Sequence, residues 1–136
     1  MISSDLAFAL NASGLAWRPT AGDRFLIHRN DFESEVFTVS DMTIEAHEYS
    51  TGTILGFNGT TEWALDSVAL EDSLWLPRED QLRELIGDRF RSLRRTDEGF
   101  TVEIDQRGET TEFAEADPAD AYARALLALI SASALA

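Results

Sequence analysis

Residues 90–114 read FRSLRRTDEGFTVEIDQRGETTEFA, and the fold follows from how that stretch divides. Phe90–Arg95, Phe100–Asp105 and Thr110–Ala114 set apolar or β-branched residues against polar ones, the pattern of half-buried strands. The joints Thr96-Asp97-Glu98-Gly99 and Gln106-Arg107-Gly108-Glu109 each carry a glycine suited to a tight hairpin. Upstream, Pro77 suits the start of a helix in which Leu82, Leu85 and Ile86 fall at i, i+3 and i+4, and Gly87 stands where a glycine past the last turn belongs. Downstream, Asp117-Pro118 supplies an N-cap and a first-turn proline for a helix whose inner stripe is Ala121, Tyr122, Ala125, Leu126, Leu129 and Ile130. The second half therefore reads helix–strand–strand–strand–helix, with both helices laid on one face of the sheet.

Working back toward the N-terminus, Ser3 or Ser4 caps a short helix through Ala12, with Leu6 and Leu10 on one face and Gly14 as its stop. Arg24–His28, Glu35–Val39, Thr43–Tyr49 and Thr53–Phe57 read as the strands of a meander, punctuated by Asn30-Asp31, Ser50-Thr51-Gly52 and Asn58-Gly59. Thr60–Val68 has a cap-like start and apolar residues at 64, 65 and 68, which predicts a short helix. The predicted class is α+β, with the meander either extending the C-terminal sheet or packing as a second one. No repeat, low-complexity tract or long linker interrupts residues 1–136, which are predicted to form a single domain.

Composition removes several chemistries. Without cysteine there is no disulfide, thiolate nucleophile, iron–sulfur cluster or cysteine-type zinc site. All eleven basic residues are arginine, so a Schiff-base lysine and a phosphate-loop lysine are both impossible. No run approaches the roughly 20 apolar residues of a membrane span, and Met1-Ile2-Ser3-Ser4-Asp5 lacks the basic start of a secretory signal, so a cytoplasmic protein without membrane contact is predicted. A net charge of −14 repels the phosphates of nucleic acid and argues against it as a ligand. That charge is uneven: residues 1–77 carry 12 acids against 3 arginines, 97–136 carry 9 against 2, and 78–96 carry only 4 against 6. A carboxylate or phosphate is welcome only in that middle segment.

Within it, Arg78 and Arg83 lie among Glu79, Asp80 and Glu84 on the predicted helix and are expected to form surface pairs. Arg91, Arg94 and Arg95 have no acid between them, and they are the candidates for an external contact. Trp17, Trp63 and Trp75 each sit in or beside irregular sequence, where tryptophan either anchors a partner or covers the core. His28, His47, Glu45 and Asp41 have the donor types of a metal site but no ligand motif, and none is predicted to hold a metal. Glu62 and Asp66, four apart beside Trp63, would line one face of a helix, and they define the alternative of a small-molecule pocket or an enzyme. Asn58 to Thr61 lacks the glycine pattern of a phosphate loop and reads as a turn, and no Gly-x-Ser-x-Gly elbow exists. No catalytic residue and no cofactor are predicted.

The runs Gly56-Phe57-Asn58-Gly59-Thr60-Thr61-Glu62-Trp63-Ala64-Leu65-Asp66-Ser67-Val68 and Leu74-Trp75-Leu76-Pro77-Arg78-Glu79-Asp80-Gln81-Leu82 resemble a family of short acidic proteins of high-GC Gram-positive bacteria. Ala21-Gly22-Asp23-Arg24-Phe25 and Asp117-Pro118-Ala119-Asp120-Ala121-Tyr122-Ala123 share that resemblance, which therefore spans most of the chain. Members often carry the label pilus assembly protein CpaE; the resemblance implies a family of unknown function and transfers no catalytic residue. Together these readings predict a non-enzymatic binding or adaptor module with a protein partner, a homo-oligomer being left open. Mimicry of DNA by rows of carboxylates is a further alternative, resting on the charge alone.

Overall fold

A computed structural model describes residues 1–27, 36–39, 44–49, 52–57, 67–69 and 73–134, with the backbone alone at 44–49, 52–57, 67–69 and 134. It is α+β, with antiparallel pairing throughout the described strands. The chain groups into two compact units, residues 16–76 and residues 1–15 with 77–136.

In the unit of residues 16–76, β1 (Arg24–Ile27) lies between β2 (Val36–Thr38) and β6 (Ser73–Leu76), while β3 (Ile44–Tyr49), β4 (Gly52–Phe57) and β5 (Ser67–Ala69) form a three-stranded meander. The predicted meander is thus divided: β2 closes one edge of β1, and β6, seen in sequence only as the apolar run Leu74-Trp75-Leu76, closes the other. The helix predicted over Thr60–Val68 is corrected at its end, where Ser67 and Val68 belong to β5 and pair with Gly56 and Leu55. The free edge of β4 satisfies their backbone groups, and β-branched Val68 suits a strand better than a helix. The other residues of that predicted helix, 60–66, lie outside the described ones, as do His28 and the turns at Asn30-Asp31, Ser50-Thr51 and Asn58-Gly59.

The second unit is built from α1 (Ser4–Ala12), α2 (Glu79–Ile86), β7 (Phe90–Thr96), β8 (Gly99–Gln106), β9 (Glu109–Glu115) and α3 (Pro118–Ala134). The sheet order is β7-β8-β9, separate from the sheets of the other unit. Register pairs Phe90 with Ile104, Leu93 with Val102 and Val102 with Phe113, so these residues share one face. α3 packs over β8 and β9 on that face, leaving Val102 and Ile104 fully buried. Each such side chain contributes about 1.5–3 kcal/mol. α2 and α1 pack against α3.

The helix ends obey their local chemistry. The Ser3 hydroxyl accepts from the Leu6 amide at 3.3 Å, and the Ser3 amide in turn donates to Asp120 on α3 at 2.7 Å, fastening the start of α1 to that helix. Gln81 reaches back to accept from the Arg78 amide at 2.9 Å at the start of α2. Asp117 accepts from the Ala119 amide at 2.8 Å, and Pro118 follows it in the first turn of α3, where its missing N–H costs nothing.

The two hairpins of the β7-β8-β9 sheet treat the backbone differently. Gly99, at φ +114°, lies so close to the end of β9 that an added Cβ would stand 2.5 Å from the Glu115 carbonyl oxygen and 2.9 Å from Ala116 Cα. At the other hairpin Arg107 (φ 54°) and Gly108 (φ 87°) are both left-handed, as a two-residue type I′ loop demands, and Arg107 is the non-glycine residue with positive φ among those described. Gly99→Ala is expected to destabilise the protein by about 2 kcal/mol or more, whereas Arg107→Asn, which suits the left-handed region better, should stabilise it by about 0.5–1 kcal/mol. Urea unfolding of the two variants beside the parent checks both signs.

Candidate functional site

Trp17 and Trp75, far apart in sequence, meet in the unit of residues 16–76. Phe25 is the cross-strand neighbour of both Trp75 and Phe37, which lines the three rings along one face of the sheet. Trp17 stacks on Trp75, with centroids 6.4 Å apart and planes 9° from parallel, and touches Phe25 at 5.4 Å. Asp23, only 1% exposed, fixes this arrangement: its carboxylate accepts from Trp17 Nε1 at 2.9 Å and from the Thr20 amide at 3.0 Å. Trp75 Nε1 is buried without a hydrogen-bond partner. Both indoles are half-buried parts of an aromatic layer. Trp63 lies outside the described residues, together with Glu62, Asp66, His28 and Asp41, and the side chains of Glu45 and His47 are likewise not described. Among the described residues no group of three or more His, Asp or Glu is placed to hold a metal ion.

Arg91, Arg94 and Arg95 do not form one patch. A bulge between Phe90 and Ser92 displaces Arg91, whose guanidinium donates to the Asp88 carbonyl at 2.7 Å and pairs with Asp105 at 3.3 Å. Arg94 lies on the face away from α3, where Glu103 and Glu112 are directly opposed across β8 and β9, and it bridges them, bonding Glu112 at 2.5 Å and standing 3.8 Å from Glu103. Arg95 pairs in register with Phe100, so alternation puts it on the opposite face, exposed and without a polar partner among the described residues. Two of the three candidates are therefore engaged within the sheet.

A different cluster carries an open surface. Leu85 and Ile86 of α2 and Leu126, Leu129 and Ile130 of α3 line an apolar groove of about 880 Å³, which Gln106 and Arg107 of the β8–β9 turn and Arg89 just past α2 also border. Its origin is a mismatch of length. At 1.5 Å per residue the 8-residue α2 spans about 12 Å and the 17-residue α3 about 25 Å, so α2 can cover only part of the α3 stripe. Within that stripe Leu126 is buried, while Leu129 and Ile130 are only half-buried. Leu85, predicted for the inner face of α2, is 44% exposed beside them. Arg89 and Arg107 have no hydrogen-bond, ion-pair or ring partner among the described residues. The signals for this groove were present in sequence as an apolar stripe outrunning its partner helix and an arginine in a turn that prefers asparagine or glycine.

Nearer the start of α3, Tyr122 stacks on Phe90 at 5.8 Å, and Arg83 lies 4.2 Å above the Phe90 ring. Burial pushes the Tyr122 phenol above its ordinary 10.0, and the Arg83 charge opposes part of that shift. No family model, curated protein or solved structure matches this chain.

Two expectations follow. Because Arg94 and its nearer partner Glu112 are about half exposed, Arg94→Ala should cost under about 1 kcal/mol, and Arg94→Glu should cost more by setting a third carboxylate beside Glu103 and Glu112. Unfolding at low and high salt tests this, since screening must shrink the gap between the variants. The raised Tyr122 value stabilises the fold fully below pH 10 and is lost as pH rises through the folded value. With no lysine to titrate in that range, Tyr122→Phe should flatten the fall in stability above about pH 10; identical slopes in parent and variant would contradict the assignment.

Proposed function

We propose that this protein is a non-enzymatic binding module that engages a protein partner through the groove between α2 and α3. The observation that supports the reading is an apolar cleft left open between two helices, with Leu85, Leu129 and Ile130 incompletely covered and two unpaired guanidiniums at its border. Exposed apolar side chains in one continuous depression cost solvation unless a partner covers them, and cationic residues beside them give orientation. No thiol or lysine nucleophile is present in the chain, which fits a role in binding.

The test compares the parent with Leu129→Asp as bait in native cytosol, after both are shown to unfold at similar urea concentrations. A specific partner should be retained by the parent and its affinity reduced at least about tenfold by the variant, the loss expected of a central apolar anchor. Equal retention by both, or nothing above background for the parent, would count against the proposal.

A further inference from the structure

We infer that the groove takes an amphipathic helix whose apolar face is followed, at one end only, by acidic residues that meet Arg89 and Arg107. The inference rests on the groove being the binding surface and names what fills it. An open channel walled by two helices suits the ridge of a third, whose side chains at i, i+3, i+4 and i+7 enter while its polar face stays in water. A small amphiphile would lie there largely wet, unlike the ligands of enclosed pockets.

Charge then selects the helix. The chain holds 25 acids, yet Arg89 and Arg107, like Arg18, Arg24, Arg83 and Arg95, have none of them as a partner among the described residues, and of these six they are the two that border the groove. Arg107 is moreover an arginine in a left-handed position where asparagine or glycine costs less, so local backbone preference does not account for it. Two guanidiniums bordering one groove match carboxylates bidentately. The register that pairs Phe90 with Ile104 brings the start of β7, just after Arg89, and the β8–β9 turn that carries Arg107 to the same end of the sheet, and the remaining field of a −14 protein repels acids placed elsewhere.

A displayed library of 16-residue helices tests this, with leucine fixed at four groove-facing positions and the flanking residues at both ends randomised. The parent should enrich Asp and Glu at one end and not at the other, and a labelled peptide from that pool should bind at least about tenfold more weakly to Arg89→Gln/Arg107→Gln, the factor expected of one lost charge-assisted contact. Arg89→Glu/Arg107→Glu should enrich Lys and Arg at that end instead. Arg107→Asn separates fold from function, because it should melt higher than the parent and still bind the acidic peptide more weakly. Enrichment of leucine-faced helices with no charge preference, abolished by Leu129→Asp, would overturn this inference and leave the groove as the binding surface. No enriched helices, or enrichment undisturbed by Leu129→Asp, would overturn both.

Discussion

A three-stranded sheet cannot shelter its own apolar face, and in the unit of residues 1–15 and 77–136 that burden falls on α3. Val102 and Ile104 at the centre of β8 are sealed because a helix with Ala121, Ala123 and Ala125 fully buried lies close over them. Small side chains permit that approach, and Tyr122 and Leu126 of the same helix are buried as well. The rest of the unit is arranged around the same helix. α1 is fastened to its first turn through Ser3 and Asp120, and α2 packs against it, with Arg83 over the Phe90 ring at the start of β7. The groove lies where the half-buried end of the α3 stripe, Leu129 and Ile130, runs beside Leu85 and Ile86 of the shorter α2.

How much of this was legible varied with the range of the interactions involved. The β7-β8-β9 unit was readable nearly end to end, because its strands alternate, its hairpins carry glycines and its helices carry caps, all local signals that agree with one another. β6 was not, since four residues with three apolar ones announce a strand only when a distant partner, here β1, supplies the other half of the ladder. The pairing of Trp17 with Trp75 was equally invisible: it depends on β1 bringing Phe25 opposite Trp75 and on the buried Asp23 carboxylate turning Trp17 back toward them.

The arginine candidates show the same limit at side-chain scale. Counting charge along the chain singles out residues 78–96, but counting cannot see that a bulge carries Arg91 to Asp105, or that Arg94 relieves two opposed carboxylates while its neighbour Arg95 points the other way. Acids supplied from β8 and β9 neutralise the strand that looked most cationic. Arg89 and Arg107, two of the arginines left without an acid among the described residues, come from a turn after α2 and a hairpin loop, eighteen positions apart in sequence and joined by the groove they border.

Arg107 is where local and global demands part. Every other feature of the β8–β9 hairpin follows from turn chemistry: Gly108 takes the second left-handed position freely, the register continues without a bulge from Gln106 and Glu109, and Thr111 donates to Gln106 at 2.9 Å to hold the strands beside it. An arginine at the first position adds strain that asparagine would relieve, and it offers the hairpin no hydrogen bond or ion pair among the described residues in return. A position that breaks the local rule inside an otherwise consistent element is where selection for something beyond stability leaves its trace. Arg107 breaks it at the border of a helix stripe that its neighbours leave partly uncovered, and the same inconsistency in an enclosed part of the fold would have no such reading.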